Sequence, residues 1–220
     1  MSAASKSGPS PDLIEALRQY QIELPEEQVR QIDNYCQLLW KWNEKINLTR
    51  HTDFDLFVKR DLIDSVQLAQ LMATDRDALD IGSGGGVPGL LIAMMCPHVE
   101  VSVCESVAKK ARVLDDIVKQ LKLPVAVYHE RVERLLEEER FDTLTARGVG
   151  SIAKILKWLA PHWASAGRLL LVKGPKWVEE RGEARHHGLL ASLELRRLAE
   201  YEMPGTHATS VILGISWKRE

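Results

Sequence analysis

The sequence predicts an α/β protein: a doubly wound, mostly parallel seven-stranded sheet with an N-terminal helical extension. Three observations lead there. After Asp75, short apolar runs alternate with helical stretches; a four-glycine loop joins the first run to the helix behind it; and the chain before Asp75 is helical in period throughout. Strands that alternate with helices pair in parallel and need helices on both faces of the sheet.

In chain order, residues 1–11 are rich in Ser, Ala, Gly and Pro. They lack the apolar core of a signal peptide and read as a flexible tail. Residues 12–74 form the helical extension. Leu13, Ile14 and Leu17 share one face, and Pro25-Glu26-Glu27 is a helix start. Val29, Ile32, Cys36, Leu39 and Ile46 continue the apolar stripe, and a third stretch runs from Phe54 through Leu71. Residues 75–220 form the second unit. Its strands are expected at Ala78–Ile81, Val99–Cys104, Val125–Tyr128, Phe141–Ala146 and Arg168–Val172, and Leu189–Leu198 with Val211–Trp217 make a terminal pair. Helices are expected through Leu90–Met94, Val107–Leu121, Val132–Glu138 and Ile152–Leu159.

Composition narrows the function classes. No run of about 18 apolar residues exists, so no membrane contact is expected. Cys36, Cys96 and Cys104 have neither a CxxC nor a histidine at ligand spacing; free thiols, no metal and a cytoplasmic setting are expected. The formal charge of −2 leaves any nucleic-acid contact to local basic patches.

The chemistry concentrates in Asp80-Ile81-Gly82-Ser83-Gly84-Gly85-Gly86-Val87-Pro88-Gly89. Glycines between a strand and a helix bring bare N–H groups against a ligand, and Pro88 suits a first helical turn. Gly84, Gly86 and Gly89 also satisfy the dinucleotide pattern GxGxxG, which alone is weak. Asp80 tips the reading to S-adenosylmethionine: a carboxylate at the strand end attracts an amino group and repels a pyrophosphate. Glu105, ending the second strand, suits a ribose diol in either ligand.

These residues belong to a larger pattern, similar to the RsmG (GidB) family of bacterial methyltransferases. Trp42-Asn43-Glu44-Lys45-Ile46-Asn47-Leu48-Thr49 resembles its N-terminal signature, and Asp64-Ser65 the next one. Asp80–Gly89 resembles the cofactor loop, Glu105-Ser106 with Lys109, Lys110 and Arg112 the second-strand motif. Arg131-Val132-Glu133, Arg147 and Lys173-Gly174 follow in the family's order. Two departures stand out: Asp61 occupies a position where the family usually has His, and Thr206–Ser210 is less basic than in relatives.

The resemblance implies a class I methyltransferase fold (Rossmann-like) and S-adenosyl-L-methionine as cofactor. It also implies 16S ribosomal RNA or the small-subunit particle as substrate, with guanine N7 as methyl acceptor. Gly82, Gly84 and Val87 would line the cofactor, Val132 and Glu133 flank its adenine, and Arg147 lie near the reacting end as an orienting catalytic residue. Asp80, Gly86 and Glu105 complete the expected cofactor set. A monomer is expected.

Lys109, Lys110, Arg112 and Lys173 are the candidate RNA contacts, forming with Arg147, Lys176 and Arg168 a positive rim around the mouth. A structural alternative for Arg147 is a salt bridge to Asp142 or Glu133. Trp177 is the tryptophan placed best to stack on a base, Trp158 and the others being core, and His186-His187 reads as surface loop. Two rival functions stay open: a methyltransferase of the same fold acting on a small molecule or protein, and a non-catalytic ribosome-assembly factor that binds RNA.

Overall fold

A computed structural model describes residues 8–206 and 208–218. The first seven residues of the expected tail, and His207 in the less basic terminal segment, lie outside the described residues. Seven strands form one sheet: β1 Asp77–Ile81, β2 Glu100–Cys104, β3 Ala126–Tyr128, β4 Phe141–Arg147, β5 Ala166–Lys173, β6 Leu193–Glu202 and β7 Thr209–Trp217. Their order is β3-β2-β1-β4-β5-β7-β6. The first five run parallel, and β7 is antiparallel to both neighbours. This is the doubly wound, mostly parallel sheet that the strand-helix alternation predicts.

Register places the site. Ile81 pairs with Cys104 on one side and Ala146 on the other, so β1, β2 and β4 end level at one edge. In open α/β sheets ligands bind at that carboxyl edge. On one face, Leu79, Ile81, Leu144 and Leu169 pack against α7 (Val132–Glu138), α8 (Ile152–Leu159) and α9 (Trp177–His186). The other face carries α5 (Gly89–Met95) and α6 (Ala108–Leu121).

The extension comprises α1 Pro11–Gln19, α2 Glu26–Asn43, α3 Phe54–Phe57, a π-helical turn Val58–Leu62 and α4 Ile63–Gln70. Leu13, Ile32, Tyr35 and Phe57 share one apolar cluster with Leu90, Val103 and Leu114 of the α/β unit. The amphipathic helices bury their stripes on α5 and α6, as short helices must to be stable. Among the described residues no helix is long and apolar enough to cross a membrane.

Four local expectations need correction. The stripe through Ile46 suggests a longer α2, yet the helix stops at Asn43, whose side-chain oxygen accepts hydrogen bonds from Leu48 N (2.8 Å) and Thr49 N (3.0 Å). The stretch from Phe54 is broken by the π turn. α9 has no counterpart in the sequence reading, because Ala184 is its one buried residue and leaves no apolar stripe to detect. His186 ends α9 and His187 caps it, so this exposed pair is helical rather than loop.

Candidate active site

The loop after β1 is shaped by hydrogen bonds to its own backbone and to β2. Gly82 N and Ser83 N both donate to Cys104 O (2.8 and 3.2 Å), and Gly86 N donates to Ser83 O (2.7 Å). Gly82 has φ +66°, and a Cβ there would come within 2.3 Å of Val149 Cγ1. At Gly86, φ is +105° and a Cβ would strike Leu90 at 2.7 Å. Only glycine meets both demands. Pro88 stands at the N-cap of α5, just ahead of the first turn where the sequence put it. The extension backs the loop: Tyr35 Oη donates to Gly85 O (2.9 Å).

Asp80 is placed differently from the sequence expectation. It is 1% exposed and points away from the ligand edge, into the face occupied by α5. Its Oδ1 accepts from Thr145 Oγ1 (2.9 Å) and its Oδ2 from Gly89 N (3.2 Å). Strand alternation is the cause: Leu79 and Ile81 face α7 and α8, so Asp80 faces the opposite side. Its carboxylate anchors the loop and does not line the cavity at the carboxyl edge. Burial pushes its pKa up to about 6, although hydrogen bonds from Ser83, Thr145 and Gly89 work against the rise.

A cavity of about 560 Å³ opens at the carboxyl edge, and Gly82, Glu105, Lys110, Val132, Glu133 and Val149 are among its lining residues. That volume lies within the range of small-molecule sites, about 300–1,000 Å³. Glu105 is buried at its rim, with Oε2 accepting from Gly84 N (3.0 Å) and Oε1 from Val107 N (2.8 Å). One carboxylate thus joins the glycine loop to the residue that precedes α6, while each oxygen keeps a lone pair for a further donor. Cys104 also lines the cavity; burial and then Glu105 push its thiol up to about 12, so it is no nucleophile. Gly84 reaches the cavity through Glu105, whereas Gly86 packs on Leu90 and Leu114 and Val87 on the extension's cluster.

Arg147 does not line the cavity. Its Nη2 donates to Asp61 Oδ1 (2.5 Å), and its Nη1 to Asp64 Oδ2 (3.0 Å) and Arg60 O (2.9 Å). The expected structural partners, Asp142 and Glu133, are not the ones used: Asp142 instead bonds Arg76. Burial opposes the guanidinium charge, but Asp61 and Asp64 outweigh it and hold the pKa above its ordinary value. Asp64 shows the reverse balance: burial raises its pKa despite Arg147 and a hydrogen bond from Tyr201 Oη (2.7 Å). His51 Nδ1 lies 2.9 Å from Asp61 Oδ2 at the exposed end of this cluster. Asp61 therefore joins the extension to β4, and no sequence signal marked it as Arg147's partner.

The expected positive rim survives in part. Lys109 and Arg112 are exposed and Lys110 half-buried, with no salt bridge to any of the three among the described residues. Lys173 is turned inward, bonded to Gly150 O and paired with Glu180 (2.7 Å), with its side chain 10% exposed. Arg168 lies at the opposite edge, where β5 begins, bound to Asp75 and Leu71 O. Trp177 packs on the core beneath Arg181, 5.0 Å from the ring centroid. Of the expected rim cations, Lys110 is the one that lines the cavity. Among the described residues no group of three or more His, Cys, Asp or Glu could hold a metal ion.

The family model described as rRNA small subunit methyltransferase G (GidB) matches residues 28–207. The ribosomal RNA small subunit methyltransferase G of Rhodopirellula baltica is 55% identical over 188 residues, covering 86% of this chain and 81% of its own. That of Pseudomonas putida is 36% identical over 165 residues, covering 74% and 76%. Among solved structures, an O-methyltransferase from Bacillus cereus in complex with SAH has a TM-score of 0.63 at 15% identity, covering 91% of this chain and 97% of that one. The METTL16 MTase domain gives 0.60 at 15% identity, covering 95% and 93%. At these identities the structures share the fold of this chain.

Asp80 generates a pH prediction. Its folded pKa of about 6 exceeds the ordinary 3.8, so the folded chain binds this proton more tightly than the unfolded chain. The contribution to stability is full below about pH 4 and is lost as pH rises through 6. Relative to Asp80→Asn, wild type should lose about 2 kcal/mol of stability between pH 4 and pH 7. Urea denaturation of both proteins at the two pH values measures this; a pH-independent difference would show that Asp80 does not titrate in that window.

Proposed function

This chain belongs to the rRNA small subunit methyltransferase G family, and on that premise we propose that it transfers a methyl group from S-adenosylmethionine to N7 of a guanine in 16S ribosomal RNA. The observation that carries the reading is the convergence of the glycine loop and Glu105 on one cavity at the carboxyl edge. The residues present fit the cofactor. Gly82 leaves a cradle that a Cβ would fill, Glu105 offers acceptors to a ribose diol, and Val132 and Glu133 supply a wall for adenine. S-adenosylmethionine supplies an electrophilic methyl group on its sulfonium.

Guanine N7 carries a free lone pair and loses no proton on methylation. The protein therefore has no general-base task; it must orient the base, exclude water and hold the two reactants at attack distance. Arg147 is a positioning residue in this scheme. By gripping Asp61 and Asp64 it fixes the extension against the end of β4, just ahead of Gly148-Val149-Gly150. Lys109, Lys110 and Arg112 offer the RNA backbone a sequence-blind positive surface. A small-subunit substrate places the protein in the cytoplasm.

The decisive experiment maps N7-methylguanine in 16S RNA from cells with and without the gene. A methylated guanine that vanishes with the gene and returns with it is expected; an unchanged map would overturn the RNA assignment. Glu105→Ala should weaken S-adenosylmethionine binding by about 2–4 kcal/mol, through loss of charge-assisted hydrogen bonds, while the protein stays folded. Equal affinities in calorimetry would remove Glu105 from the site. Replacing the exposed pair, Lys109→Ala with Arg112→Ala, should lower the salt slope of RNA binding by about one to two units and leave cofactor affinity alone. An unaltered slope in filter binding would place the RNA elsewhere.

A further inference from the structure

Trp158, in the second turn of α8, lines the same cavity as Gly82, Glu105 and Val132. It is half-buried, and its inner side packs on the core cluster shared by α7, α8 and the sheet. Lys154, one turn earlier on the same helix face, also lines the cavity and sets its Nζ 5.1 Å from the indole centroid. Trp177, the tryptophan that sequence position favours, does not line this cavity, nor does Trp42. Trp177 lies under Arg181, and Trp42 Nε1 donates to Asp116 (2.8 Å).

The cavity offers two kinds of surface. Glu105, Ser106, Lys110 and Glu133 present polar groups, while Ile81, Val132, Val149 and Trp158 present apolar surface. A nucleoside calls for both, having a polar sugar and a flat base whose face favours aromatic contact. We infer that Trp158 is a wall of the base end of this cavity and contacts the adenine of the bound adenosyl ligand. The inference rests on the cofactor reading above and adds α8 to the elements that build the site.

An unpaired base of the RNA is the competing occupant, and position disfavours it. Trp158 packs on the sheet face that carries Leu144 and Ala146. Arg147 points from the opposite face, toward the extension. Trp158 and the contacts of Arg147 with the extension thus lie on opposite faces of the sheet.

The test follows tryptophan emission and calorimetry with two ligands: S-adenosylhomocysteine, and 5′-methylthioadenosine, which keeps the nucleoside and lacks the amino acid. Both should quench wild-type emission. Trp158→Phe should bind both within about threefold and lose most of the quench. Trp158→Ala should bind both about tenfold more weakly, by a common factor, since the lost contact is to the shared base. Thermal denaturation confirms that the Ala variant is folded; if it is not, the quench in the Phe variant decides. Wild-type affinity in Trp158→Ala, or a full quench in Trp158→Phe, overturns the inference while Glu105→Ala still reports on the cofactor reading. A Trp158-dependent quench by an RNA oligonucleotide but by neither nucleoside also overturns it. Failure of wild type to bind either ligand would sink the cofactor reading itself.

Discussion

One buried carboxylate holds the glycine loop in place. Asp80 reaches from β1 to Thr145 on β4 and to the first backbone N–H of α5, so strand, neighbouring strand and helix meet at two oxygens. The group is costly to bury, which its raised pKa records, and its hydrogen bonds offset part of that cost. Gly89 must be glycine for the same reason: a Cβ there would sit 2.8 Å from Asp80 Cβ and 2.7 Å from Val103 Cγ1. With α5 pinned this closely to the sheet, Gly82 and Gly84 turn toward β2, and Glu105 can grip Gly84 from the other side.

A second polar cluster lies beyond the cavity, at the end of β4. Arg147, Asp61, Asp64 and Tyr201 come from β4, the π turn, α4 and β6, and together they bind the N-terminal extension to the sheet. Removing one partner of such a buried pair typically costs about 3–5 kcal/mol, since the remaining charge is left without compensation. The extension also shares the apolar cluster beneath α5 and α6. It is therefore fastened to the sheet by both polar and apolar contacts, and the Asp61 departure falls on the residue that bonds Arg147 and faces His51.

Some misplacements were legible in the sequence. Leu79 and Ile81 flank Asp80 in a buried strand, so alternation already turned Asp80 away from the face they occupy. The same rule separates Thr145 and Arg147 from Leu144 and Ala146 on β4. Trp158 is harder to distinguish from Trp177 by sequence, because each stands in a helix that follows a strand ending in a basic residue, Arg147 or Lys173. Only the cavity tells them apart, since it opens onto Trp158 and Lys154. α9 was illegible for want of an apolar stripe, and β6, an edge strand, shows burial alternation too weak to set its ends.

The sequence by itself determined the alternating architecture, the strand-loop-helix carrying the glycines, and the edge where a ligand belongs. These follow from periodicity and backbone geometry, which are properties of neighbouring residues. Tertiary structure alone decided which charges remain available for chemistry. Among the described residues Lys109 and Arg112 have no salt-bridge partner, Lys173 is consumed by Glu180, and Arg147 is gripped by Asp61, 86 positions away. Ion pairing depends on distance in space and on burial, and no local pattern along the chain encodes either.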